Sequence, residues 1–190
     1  MLADLVKKNR SYRGYDESVA VSEETLTELV ELARFTASGA NLQPLKYRLV
    51  FEKNEVDALN GITRWAKMLK NITLPHEGMY PTAYIAVCVD TALCANPDAP
   101  ATDIGIAAQT ILLGAVEKGL GGCMLGNYEK SEVVSILGLK EQYVPKLLIA
   151  LGKPKENVVI VDAENGKTAY YRDENDTHFV PKRTLEDLII

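Results

Sequence analysis

Histidine is nearly absent from this chain, with only His76 and His178 in 190 residues. Neither belongs to an HExxH pair or lies near a GxSxG elbow, so zinc hydrolysis and a serine triad have nothing to build on. Both imidazoles are read as structural or solvated. Cys88, Cys94 and Cys123 are odd in number and form no CxxC pair, which argues against a disulfide framework or a zinc cage, and no metal site is expected. Long apolar runs are missing too. The longest, residues 104–116, falls short of the roughly 20 residues that span a bilayer, and MLADLVKKNRSYRG holds no stretch of signal-peptide length. A cytoplasmic protein with no membrane partner is expected. Basic residues are not in excess, at 21 Lys and Arg against 26 Asp and Glu, for a net charge of −5 and a pI of about 5.2. With the cations scattered, no nucleic-acid partner is expected. The stretch GLGGCMLG fails as a dinucleotide loop, because Met124 stands where GxGxxG needs glycine and a helical pattern precedes it. There is no Walker A loop either, so a phosphate would have to be held by side chains and loop amides.

What is present is the balance of one folded domain, 47% apolar and 25% charged. Leu2, Leu5 and Val6 have the spacing of a short amphipathic helix. Ser22 is a helix cap with Glu23 and Glu24 behind it, and Val21 is placed to staple onto Leu26; the helix should end near Thr36. TASGANLQP then reads as a loop and KYRLVF as a strand. A helical pattern covers residues 56–69. AYIAVCV, residues 83–89, is an apolar run suited to a strand buried on both faces. A helix beginning at Thr102 or Asp103 and running to about Lys118 is apolar nearly all round, as in a large core or against a second subunit. GLGGCMLGN ends it with a possible short strand, Ser131 offers a cap for a helical turn, and KLLIALGKP is another buried strand. NVVIV, residues 157–161, is one more strand or an extended arm. The tail closes on Leu185, Leu188 and Ile189, too apolar for a free end.

Two polar stretches stand out. Arg10 and Arg13 in NRSYRGYD are spaced to offer two guanidiniums to an anion, with Ser11 as a neutral donor; taken alone, the segment is equally a solvated helix end. In SGANLQP, Ser38, Asn41 and Gln43 supply donors and acceptors suited to a heteroaromatic ligand, or simply satisfy a turn.

Together, NRSYRGY and ASGANLQPLKYRLV resemble the paired signatures of the nitroreductase-like flavoproteins, R-R-S-x-R-x-F and A-P-S-x-x-N-x-Q-P-W-x-F. DIGIAAQTILLGAVEKGLGGCMLG is similar to that family's D-x-G-x-A-x-Q-N-L-L-L-A-A-x-x-x-G-L-G-x-C-W-I-G, and LLIALGKP to its strand followed by Gly-x-Pro. The resemblance implies an α+β fold, with a central, mostly antiparallel sheet flanked by helices, in an intertwined homodimer. It implies a single domain over residues 1–190, with a C-terminal arm (about 165–190) docking on the partner subunit. The implied activity is FMN-dependent transfer of two electrons from NADH or NADPH, through flavin N5, to small aromatic acceptors such as nitroaromatics or quinones, in a ping-pong cycle without a catalytic residue of the protein's own.

Carried over by motif, Arg10 holds the phosphate, Ser11 belongs to the same segment, and Arg13 lies at the pyrimidine edge, where it raises the reduction potential. Ser38, Gly39, Asn41 and Gln43 match the segment contributed by the other subunit. Asp103 is placed to reach the ribityl hydroxyls, Gly126 and Asn127 meet the N5 and O4 edge, and Lys182 with Arg183 completes the phosphate site. Thr36-Ala37, Leu45 and Met124 depart from the family pattern. Residues 65–81 have no match in it, leaving Trp65, Lys67 and Lys70 as guesses for a lid. A flavin-binding module without turnover is the alternative, or a relative with dehalogenating or flavin-fragmenting chemistry; the short middle region argues against the latter.

Overall fold

The computed structural model describes residues 1–70 and 72–190. Its centre is β5 (Tyr143–Pro154), which pairs antiparallel with β3 (Ala83–Asp90) along one edge and with β4 (Gly121–Leu125) along the other. β2 (Leu45–Val50) continues the sheet beyond β3, and the short β1 (Tyr15–Asp16) pairs with the end of β5, both antiparallel. Helices cover both faces, so the chain has an α+β fold with an antiparallel central sheet. Alternation along β3 explains the layering. Ile85, Val87 and Val89 pack with α2 (Glu23–Arg34) and α4 (Ala101–Glu117), while Tyr84, Ala86 and Cys88 pack with α3 (Lys53–Ile62) and α5 (Lys130–Leu137). Every residue of β3 is buried, as expected of a continuous apolar run between two layers. Each of Ile85, Val87 and Val89 contributes about 1.5–3 kcal/mol by leaving water.

Local signals account for several boundaries. Ser22 caps α2 by accepting from the Thr25 amide at 3.2 Å, and Val21 and Leu26 are both buried in one cluster. Two expectations fail. The helix read over residues 56–69 spans Lys53–Ile62 instead, because Thr63 turns extended and the Arg64 amide donates to the Asn127 carbonyl at 3.0 Å. Ser131 is not the cap of α5: Glu129 holds that position, and the Ser131 hydroxyl donates to its carboxylate at 3.2 Å.

The segment after α1 (Leu2–Lys8) lies along β4, where Ser11 bridges Gly122 and the Tyr12 amide donates to the Gly122 carbonyl at 3.1 Å. The two glycines permit this approach. A Cβ on Gly121 would stand 2.5 Å from the Tyr12 ring, and one on Gly122 would strike the Ala150 carbonyl and come within 2.6 Å of Leu112. Thus the GLGG of the sequence serves chain packing rather than phosphate binding. Past β5, a separate small sheet of β6 (Val158–Asp162), β8 (His178–Lys182) and β7 (Tyr171–Arg172) pairs β6 parallel and β7 antiparallel to β8. This sheet contacts the chain's own N-terminal segment, as Arg13 meets both His178 and Tyr170. Leu185, Leu188 and Ile189 beyond it are exposed. Among the described residues no helix is long and apolar enough to cross a membrane.

Gly122→Ala should therefore lower stability by about 1–3 kcal/mol through overpacking and shift the chemical denaturation midpoint. An unchanged midpoint would contradict the close approach.

Candidate functional site

Strand period 2 decides which C-terminal side chains meet the N-terminal arginines. His178, Val180 and Lys182 of β8 face one cavity of about 400 Å³, whose other walls include Arg10, Ser11, Arg13, Tyr170, Gln109 and Met124. Arg183 follows the strand's end and sits beside Gly166, so only Lys182 of the VPKR pair lines this cavity.

The cations here are held by specific partners. Arg10 donates through Nη2 to the Val6 carbonyl at 2.9 Å, and its buried Nε has no partner among the described residues. Arg13 donates from Nη1 to the Ser11 carbonyl at 3.2 Å and meets His178 Nε2 at 3.0 Å, with its guanidinium 5.0 Å from the centre of the Tyr170 ring. The Arg13 backbone amide donates to Glu156, whose carboxylate also pairs with Arg172. Because a guanidinium cannot accept, the hydrogen bond requires a bare Nε2 on His178. That imidazole is 1% exposed, and its Nδ1 has no partner among the described residues. Burial first, then the positive charges of Arg13 and Arg172, push its pKa down to about 4, against a smaller opposing pull from Asp176. His178 is therefore neutral at physiological pH, with its proton on Nδ1. An unpaired buried donor costs about 1–3 kcal/mol, and two of the residues that line this cavity each carry one among the described residues, Arg10 at Nε and His178 at Nδ1.

The second polar stretch lies elsewhere on the molecule. Ser38, Gln43 and Asp103 line a separate cavity of about 370 Å³ with Tyr47 and Arg34. Asp103 is buried, and its carboxylate accepts from the Ser38 hydroxyl at 2.6 Å and from the Gly39 amide at 3.2 Å; Ser38 Oγ in turn accepts from the Gln43 amide at 2.9 Å. Ala40, Asn41 and Gln43 all have φ near 50°, a conformation that non-glycine residues adopt at a cost. Asp103 and Ser38 thus clamp a strained loop that leaves Gly39, Asn41 and Gln43 exposed. On α4, Asp103 and Gln109 are six residues apart, about 9 Å of helical rise, which separates the two cavities.

Gly126 and Asn127 are exposed after β4. Asn127 lines a third cavity, about 560 Å³, with Arg64, Trp65, Lys67 and Tyr80. Lys70 is exposed outside that lining, and Asn71, within the region read as a possible lid, lies outside the described residues.

The two buried cysteines are not candidate nucleophiles. Burial pushes the Cys123 thiol up to about 11 and the Cys88 thiol up to about 12, so neither is ionised near neutral pH. Among the described residues no cluster of three His, Cys, Asp or Glu could hold a metal ion. Reading the sequence left out Gln109, Tyr170 and His178. For His178 a signal existed, since His-x-Val-x-Lys puts three residues on one side of a strand.

The fold is α+β, and one of its cavities is lined by Arg10, Arg13 and Lys182. The chain belongs to the nitroreductase family, whose model matches residues 6–153. A protein of Archaeoglobus fulgidus, provisionally named an NADH dehydrogenase/NAD(P)H nitroreductase, is 26% identical over 166 residues, covering 85% of this chain and 90% of its own. A similarly named protein of Parabacteroides distasonis has a crystal structure that superposes with TM-score 0.69 at 22% identity, over 90% of this chain and 98% of its own. A protein of Exiguobacterium sibiricum, provisionally named a nitroreductase and crystallised in complex with FMN, also gives 0.69, at 21% identity over 82% of this chain and 89% of its own.

Two outcomes are expected. His178 is protonated in the unfolded chain below about 6.5 but in the folded chain only below about 4, so the unfolded state binds the extra proton between these values. Stability should fall as pH drops through that window, by at most about 1.4 kcal/mol per pH unit, and His178→Gln should flatten the slope in denaturant titrations. Asp103→Ala should cost about 1–3 kcal/mol by orphaning Ser38 and the Gly39 amide; full native stability in that variant would contradict the clamp.

Proposed function

We propose that this protein is an FMN-dependent oxidoreductase that takes two electrons from NADH or NADPH and passes them to small nitroaromatic or quinone-like acceptors in ping-pong order. The observation that carries the reading is the cavity where Arg10, Arg13 and Lys182 converge beside two buried donors without partners. An anion with several acceptor oxygens suits that set, because it would satisfy the orphaned donors and relieve repulsion among the cations. Family membership and the FMN complex of the Exiguobacterium sibiricum protein support the choice of anion.

FMN held there would supply an acceptor for the hydride of the nicotinamide and a donor of the electron pair for the second substrate. The chain's own residues bind and tune. Arg10 and Lys182 are assigned to the phosphate, with Ser11 beside them. Arg13, fixed by His178 and Tyr170, is assigned to the pyrimidine edge, where its charge favours reduction. Gly126 and Asn127 are assigned to the N5 and O4 edge. Their neighbours Arg64, Trp65, Lys67 and Tyr80 are placed to receive a planar acceptor. Ser38, Gly39, Asn41 and Gln43 are assigned to the flavin of a second subunit in a homodimer. The exposed Leu185, Leu188 and Ile189 supply apolar surface for that association, and Arg183 is assigned to the same C-terminal contact. Asp103, with its oxygens taken by Ser38 and Gly39, is assigned to shaping that loop and not to the ribityl chain.

Purified protein should show flavin absorption, or acquire it with added FMN, and should consume NADH or NADPH with a nitroaromatic. Colourless protein that neither binds FMN nor turns over would sink the reading. Arg13→Ala should weaken FMN binding by about tenfold or more and lower the flavin potential; an unchanged potential would remove the tuning role from Arg13.

A further inference from the structure

A buried imidazole between two guanidiniums is a costly arrangement unless it does something a leucine would not. His178 is buried in the wall of the cavity, next to Arg13 and within the field of Arg172. Asp176, the nearby carboxylate, pairs with Arg172 at 2.8 Å and with His76 at 3.0 Å. The His178 ring is consequently left uncharged and can accept from one cation. Its acceptor, Nε2, is used by Arg13 at 3.0 Å, and its single remaining proton is on Nδ1, which finds no partner among the described residues. The other contacts of the Arg13 guanidinium are the Ser11 carbonyl and the face of Tyr170. A ring face sets height but not in-plane direction, so the imidazole nitrogen and the Ser11 carbonyl together supply the directional restraint, and the imidazole is its side-chain part.

We propose that His178 is a positioning residue for the cofactor pocket: Nε2 fixes the Arg13 guanidinium at the cavity wall, and Nδ1–H is the donor that meets an acceptor oxygen of bound FMN. This role rests on the flavin reading above. It also explains why β8 carries a polar group at a buried register position whose neighbours on that side, Val180 and Lys182, share the cavity. Burial of an unmet N–H is tolerable where a ligand completes it.

Three substitutions separate the parts. His178→Leu removes both functions, His178→Gln restores an acceptor near Nε2, and His178→Asn restores a donor near Nδ1. FMN titrations of the folded, full-length proteins should show about tenfold weaker binding for His178→Leu, with His178→Gln and His178→Asn each recovering part of it. The flavin potential should drop in His178→Leu and His178→Asn and stay near native in His178→Gln, a pattern that loss of packing would not produce. Imidazole-nitrogen NMR of flavin-free protein at about pH 6 should show a neutral ring protonated on Nδ1. Affinity and potential unchanged in His178→Leu would overturn the proposal, as would His178→Gln and His178→Asn no better than His178→Leu, or a ring protonated on Nε2. Native protein that takes up no FMN would remove the flavin reading and this role with it. Native protein that binds FMN while His178→Leu matches it would remove the role of His178 alone.

Discussion

Glu156 has both carboxylate oxygens inside the protein, one on the Arg13 backbone amide and the other on the Arg172 guanidinium. The side chains of this ion pair are 2% and 6% exposed. Buried pairs of this kind add little net stability, because desolvation offsets most of the attraction, yet removing one partner costs about 3–5 kcal/mol. What the pair contributes is register. It ties the N-terminal segment to the small C-terminal sheet, two pieces of chain about 160 residues apart in sequence. Together with the Arg13–His178 contact, that tie brings Arg10, Arg13, His178 and Lys182 to one cavity.

The tie also governs the electrostatics. A protein of net charge −5 has no general attraction for anions, so its affinity for one must come from local concentration of positive charge. Arg10, Arg13 and Lys182 around one concavity, with Arg172 behind them, create that concentration against mutual repulsion. A protonated His178 would raise the repulsion further, and burial prevents it. Tyr170 contributes the negative face of its ring to Arg13. The cavity is thus stabilised partly by its own chain and left incomplete by two unmet donors, which is the arrangement expected of a site that a ligand finishes.

The sequence carried the sheet and its helices well, since both follow from periodicity. The continuous apolar run of β3, the Ser22 cap and the apolar α4 are local signals that the tertiary structure reinforces. Signals failed where a distant group decided the outcome. The end of α3 depends on the Asn127 carbonyl; at α5 the miss was local, since the helix starts after Glu129 and Ser131 already lies inside it. The pairing of Arg10 and Arg13 with the C-terminal segment was suggested by motif order alone, because nothing within NRSYRGYD distinguishes a ligand-holding helix end from a solvated one. His178 was discounted as a lone histidine. Its environment is assembled from Arg13, Tyr170 and Arg172, which no window around residue 178 contains in full.

The division of polar residues along α4 bears on how the site is completed. Gln109 faces the arginine cavity, whereas Asp103, one and a half turns earlier, is spent on clamping the loop that contains Ala40, Asn41 and Gln43. Three left-handed residues in one short loop are a standing cost in backbone strain, and here they hold Gly39, Asn41 and Gln43 at the surface rather than packing anything within the subunit. A loop held in strain and aimed outward has no structural return inside its own chain. In the proposed dimer it gains one, because the exposed donors of one subunit would close the cavity that the arginines of the other leave open. Asp103 then acts on the cofactor at one remove, through the shape of a loop, and the same helix serves both halves of the site.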